Sequence, residues 1–165
     1  MIKEVLLRTI MMGGTDGIIT IFNIISGIEG SKLNYKYIFI LGLATLLSDA
    51  ISMGTGEFIS VTAEQEYTKS KDTITPEKKA VAMFISFVCF GMIPLIIYFI
   101  ALKINYKKKY INTYISVIVA LFILGVVKSR YTNEPWYISG GSVSIYGGIA
   151  SFFAYNISRL ISSTL

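Results

Sequence analysis

The sequence predicts an all-α, polytopic membrane protein with five transmembrane helices, and three observations carry that prediction. Hydrophobic residues make up 53% of the chain and charged residues 15%, a balance that excludes an ordinary soluble domain. Five stretches meet the roughly 17 mostly apolar residues needed to cross a hydrocarbon core, at 10–28, 37–61, 80–102, 111–127 and 138–157. The segments between them are short, so residues 1–165 read as one membrane domain.

The first span is broken by Asp16, Thr20 and Asn23 and lacks a small-residue cleavage pattern. It is therefore expected to stay in the mature protein as a helix rather than act as a removable signal. Asp16, Thr20, Asn23 and Gly27 recur at helical spacing on one face. Thr20 and Asn23 either line a polar path or bond to backbone carbonyls and neighbouring helices. Asp16 would be a helix cap if the span began at Gly17, but the apolar residues before it favour a position inside the membrane.

The second span carries the strongest signal. Asp49, Met53 and Glu57 follow one another every four residues, and Glu64 extends the row. At 3.6 residues per turn they form one slowly drifting stripe of oxygen and sulfur ligands. A charged carboxylate at the bilayer centre costs roughly 2.5 to 3.5 kcal/mol, which a purely structural helix has no reason to accept. A cation path accounts for it. Ser52, Gly56 and Ser60 add a small-residue ridge for close helix approach.

Residues 62–79 read as a short acidic and basic connector holding Glu64, Glu66, Asp72 and Glu77 among four lysines. Thr75-Pro76-Glu77 predicts the start of the next helix. Spans three and four contain no charged residue and read as scaffold, with Gly91 and Pro94 allowing a bend. Cys89, the single cysteine, reads as a small core residue. Glu134-Pro-Trp136-Tyr137 predicts an interfacial anchor, since amphipathic rings settle at headgroup depth. Span five sets Gly140, Ser144, Gly147, Gly148 and Ser151 on neighbouring turns, a face for close packing rather than a nucleotide loop, because no strand precedes it.

The net charge of +5 does not point to nucleic acid, because the basic residues flank the spans as topology and snorkelling demand. They fall almost equally on the two sides, the Lys107-Lys-Lys run included, and so set no orientation.

At Asp16-Gly-Ile-Ile-Thr and at Gly42-Leu-Ala-Thr-Leu-Leu-Ser-Asp-Ala-Ile-Ser-Met-Gly-Thr-Gly-Glu57, the chain resembles the vacuolar iron transporter family, which moves iron and manganese. The likeness continues through Ile93-Pro-Leu, Leu121-Phe-Ile-Leu-Gly-Val-Val-Lys-Ser-Arg and the Ser139-Gly-Gly segment. It implies a five-helix protomer that forms a homodimer, with the ion path between the subunits and the first two helices lining it. Metal would leave the cytosol and protons would run the other way. Asp16 would be the carboxylate shared by metal and proton, Met53 the thioether ligand, and Asp49 and Glu57 further ligands. Glu64 and Glu66 would stand at the cytoplasmic entrance. The chain departs from plant and fungal members in having a short connector where they insert a glutamate-rich helical domain, and Thr45 stands where some members have glutamate.

With no histidine and Cys89 on another span, an intramembrane site must use carboxylate, thioether, hydroxyl and backbone oxygen. Carboxylates alone suit magnesium, calcium or manganese, whereas a methionine sulfur favours later first-row ions, so Fe2+ and Mn2+ fit an Asp and Met pair. These ions are cargo, and no cofactor is expected. Two-fold symmetry would double Asp16 and Met53 into four ligands. Two rival readings stand beside the transporter. A membrane scaffold would use the small-residue ridges but leave the acids without purpose. An intramembrane aspartyl protease would need a Gly-x-Gly-Asp signature, where residues 46 to 49 read Leu-Leu-Ser-Asp, so no enzyme activity is expected.

Overall fold

In the computed structural model, five helices follow one another: α1 (Ile2–Gly30), α2 (Lys36–Thr68), α3 (Pro76–Lys103), α4 (Lys109–Thr132) and α5 (Trp136–Thr164). The structure describes residues 2–69, 74–104, 109–132 and 134–164, and no strand occurs among them. Asp72 and the first two lysines of the Lys107 run lie outside the described residues.

The helix ends follow local chemistry. Lys32 and Lys69 adopt left-handed conformations with φ of 58° and 53°, which stop α1 and α2. Thr75 is extended, and Pro76 opens α3 with its φ already set for a helix. Pro135 carbonyl oxygen accepts from the Ile138 and Ser139 amides at 3.0 and 3.1 Å and so starts α5. The helices run beyond the predicted spans, and α2 in particular continues through Glu64 and Glu66 to Thr68. Among the described residues, four helices are long and apolar enough to cross a membrane by length and composition. The fifth, α5, has the length at 29 residues, but its glycines, serines and Asn156 dilute its hydropathy.

α1 is the centre of the bundle and touches all four other helices. Its Ile18, Ile21, Phe22 and Ile25 are fully buried against Phe87 and Tyr98 of α3 and Val117 and Leu121 of α4. α1 and α3 cross with almost no space between backbones: a Cβ on Gly17 would lie 2.5 Å from the Phe87 carbonyl oxygen. α2 rests only on α1 and α3 among the described residues, along the stripe Ile38, Gly42, Leu46, Ala50 and Gly54. α4 and α5 pair through Gly125, whose Cβ would stand 2.5 Å from the Ser139 carbonyl oxygen.

Two expectations change here, for Cys89 and Lys79. Cys89 is exposed on the outer face of α3, because the helix turns Phe87 and Gly91 inward and leaves position 89 on the opposite side. Lys79, assigned to the solvated connector, is buried at 5% exposure in the first turn of α3. The small-residue face of α5 is consumed inside the protomer: Gly147 packs on Leu121 and Ile19, and Ser151 is fully buried. The α2 ridge of Ser52, Gly56 and Ser60 remains exposed, and nothing lies within 4 Å of a Cβ built on Gly56.

Candidate functional site

The α1–α2 seam brings the predicted residues together in register. Thr9 Oγ1 donates to Glu57 Oε1 at 2.9 Å, from a position only 4% exposed. Seven residues along α1, about 10 Å at 1.5 Å per residue, Asp16 lies within electrostatic reach of Asp49. Both pairs fit one antiparallel register, which sets Met53 level with Gly13 and Thr45 level with Thr20. Asp16 is the central residue of α1, fourteen positions from Ile2 and from Gly30.

The two acids at mid-helix differ in setting. Asp16 is exposed on the protomer surface, whereas Asp49 is half-buried beside the Ala50 stripe that packs on α3. Met53 is half-buried and packs against the hydrophobic core, so its sulfur sits at the edge between seam and interior. Among the described residues neither Asp16, Asp49 nor Glu57 forms an ion pair. Two carboxylates that repel one another without a protein cation make a setting that favours a bound cation.

Glu57 stands about 12 Å from Asp49 along α2, on the side where α1 begins. Glu64 and Glu66 follow on the last turns of α2 and are both exposed. The carboxylates therefore form a ladder rather than one cluster, and among the described residues no three His, Cys, Asp or Glu side chains converge on a point. Thr20 and Asn23 are half-buried on the α1 face that bears Asp16, and Asn23 Oδ1 is buried with no donor among the described residues. Beyond them, Gly27 and Ser31 floor a cavity of about 670 Å³, walled by Leu41 and Thr45 of α2 and Ser158 and Ile161 of α5.

Sequence reasoning missed two members of this region. Thr9 is an ordinary residue in an apolar stretch, and only the antiparallel pairing makes it the Glu57 partner. Glu29 lies at the far end of α1 and accepts a short hydrogen bond from Tyr98, a fully buried residue of α3. Its signal was the three-residue spacing Asn23, Ser26, Glu29. Each such step turns back about 60° around the helix, which carries Glu29 off the Asp16 face towards α3. Tyr110 Oη also donates to Ser26 Oγ at 3.3 Å and stacks on Tyr155 at 5.3 Å, closing that end with aromatic rings.

A model of the VIT family matches residues 7–73 and 66–159. The vacuolar iron transporter of Plasmodium berghei (strain Anka) is 28% identical over 95% of this chain and 82% of its own length. Its counterpart in Plasmodium falciparum (isolate 3D7) is 29% identical over 78% of this chain and 72% of its own. Vacuolar iron transporter homolog 2 of Arabidopsis thaliana is 25% identical over 94% and 84%. The P. berghei alignment spans 226 residues and the Arabidopsis one 166, against 165 here, so the short form is shared with the plant homolog. The two family matches overlap at 66–73, at the α2–α3 junction. With Asp16, Asp49, Met53 and Glu57 aligned on one helical seam and the family model spanning nearly the whole chain, the protein belongs to the VIT family.

Proposed function

We propose that the protein carries Fe2+ or Mn2+ across its membrane, out of the cytosol and in exchange for protons, as a homodimer with the α1–α2 seams facing one another. The observation that carries this reading is Asp16: an acid at the centre of the central helix, exposed on the protomer, beside a second acid and without a cation. Facing lipid, such a charge costs roughly 2.5 to 3.5 kcal/mol. Facing a second copy, it doubles into a ligand set with Met53. The exposed α2 ridge at Ser52, Gly56 and Ser60 supports close approach of that second copy.

Glu64 and Glu66 then act as cytoplasmic collectors, and Thr9 holds Glu57 for the hand-over to Met53 and the Asp16–Asp49 level. Thr20 and Asn23 line the way outward. Metal and protons compete for the same carboxylate oxygens, so metal arrival displaces protons and coupling follows from the site itself. The relatives, which are vacuolar iron transporters and their homologs, support iron as cargo, and the Met53 sulfur supports a transition ion over calcium or magnesium.

The test is flux in reconstituted vesicles with a metal-quenched dye inside and a pH-sensitive dye alongside. Fe2+ or Mn2+ uptake with opposite proton movement is expected. Absence of metal flux would leave the scaffold reading, and metal flux without proton movement would remove the exchange. Mass measurement in mild detergent should give two chains per particle; only single chains would sink the shared site.

A further inference from the structure

A second cavity, of about 400 Å³, lies on a different face of α1 at the end where α1 and α5 begin and α4 finishes. Arg8 and Lys128 stand at it, with Thr15 and Thr132, over apolar walls of Met11 and Val143. The size falls in the range of about 300–1,000 Å³ typical of small-ligand sites. Two independent registers fix the level of Arg8, one against Lys128 and one against Trp136. On α1 and α4, Ser26 meets Tyr110 and Phe22 meets Tyr114, which levels Arg8 with Lys128. On α1 and α5, Ile19 meets Gly147 and Gly27 meets Ser158, which levels Arg8 with Trp136.

Trp136 and Tyr137 are each 58% exposed and mark headgroup depth. Lys128 Nζ already bonds Glu134 Oε2 at 3.2 Å, using one of its three donors. Arg8 is exposed and makes no ion pair among the described residues. Among the described residues that line it, the cavity thus carries two cations and no carboxylate, with Glu134 bonded to Lys128 from outside the lining, a positive charge at interfacial depth above an aliphatic wall. We infer that this cavity binds the headgroup of an anionic phospholipid, with Arg8 and Lys128 on the phosphodiester, the threonine hydroxyls beside it and the acyl chains running down past Met11 and Val143. A soluble anion would use the cations but gain nothing from the wall. Basic pockets between helices at a membrane surface recognise anionic headgroups on this physical basis.

The protein, purified in mild detergent, is titrated with phosphatidylglycerol, phosphatidylcholine or inorganic phosphate, and bound lipid is counted by native mass spectrometry. Phosphatidylglycerol should bind well below the concentration at which phosphatidylcholine does. Arg8→Gln and Lys128→Gln should each weaken it about five-fold, one interfacial cation's worth. Glu134→Gln, which frees Lys128, should tighten it, a gain that misfolding cannot imitate. Lys103→Gln, at the opposite end of the bundle, should change nothing. Equal binding of the two lipids, full binding by Arg8→Gln, or displacement of phosphatidylglycerol by equimolar inorganic phosphate would each overturn the inference.

Discussion

α1 is wrapped by all four other helices, whereas α2 leans on α1 and α3 along a single stripe and leaves Leu47, Ile51, Ser52 and Ile59 on the surface. Both carry acids at membrane depth, and both place them on the seam. The difference teaches that α1 is the fixed wall of the site and α2 the wall with a free side. Gly13 and Gly17 lock α1 against α3 at backbone distance, so Asp16 is held by packing its own side chain does not share in. Asp49 and Met53, by contrast, ride on a helix whose far side is available to a second copy.

The sharpest test removes the charge from the fixed wall. Asp16→Asn keeps size and hydrogen bonding, so the variant should fold yet lose metal flux and coupled proton movement together, down to background in the two-dye vesicle measurement. Normal flux of both would transfer the site to α2 and Asp49.

The packing contrast is tested by one methyl group on each wall. Gly17→Ala drives a Cβ to 2.5 Å from the Phe87 carbonyl oxygen and 3.2 Å from the Gly91 nitrogen, and should destabilise the protein by about 1–3 kcal/mol. Gly56→Ala meets nothing within 4 Å in the protomer and should leave unfolding of the single chain unchanged or stabilise it by up to about 1 kcal/mol through helix propensity, its cost falling instead on the close approach of the proposed second copy. Thermal unfolding in detergent reads both, and equal losses would erase the distinction between the two helices.

Replacing the proposed soft ligand probes the wall with the free side. Met53→Leu preserves the contact with the core and removes sulfur, so preference for Fe2+ or Mn2+ over Ca2+ should fall about ten-fold, equivalent to about 1.4 kcal/mol. Competition between these ions in vesicles measures it, and an unchanged ratio would leave selectivity to the carboxylates alone. The smallest effect is expected from Glu66→Gln on the exposed end of α2, within about two-fold of normal uptake, as for other solvated surface charges. A larger loss would move Glu66 from collector to essential ligand.

Spacing in the sequence was enough to identify five helices and to put Asp49, Met53 and Glu57 on one face, because helical geometry alone fixes which residues of a single helix share a side. It also marked Asp16 as an acid at membrane depth. What it left open was which small-residue ridge packs where: Gly147 and Ser151 turn inward, while Ser52 and Gly56 stay outside, a choice made between helices and invisible to the period of either. Position 89 shows the same limit, since a cysteine in an apolar span can face core or lipid and only the orientation of α3 decides.

From sequence alone came the chemistry of the seam: carboxylates and a thioether with no histidine, on helices long enough to cross a bilayer. Tertiary structure decided the pairing. Thr9 meets Glu57, Asp16 comes within electrostatic reach of Asp49 and Arg8 comes level with Lys128 because antiparallel packing fixes a register between residues up to 120 positions apart, and Glu29 meets Tyr98 across the parallel pair α1 and α3. A helix's own periodicity says which way each side chain points, but the level at which it meets a neighbour is set by the close glycine contacts of α1 on α3 and of α4 on α5.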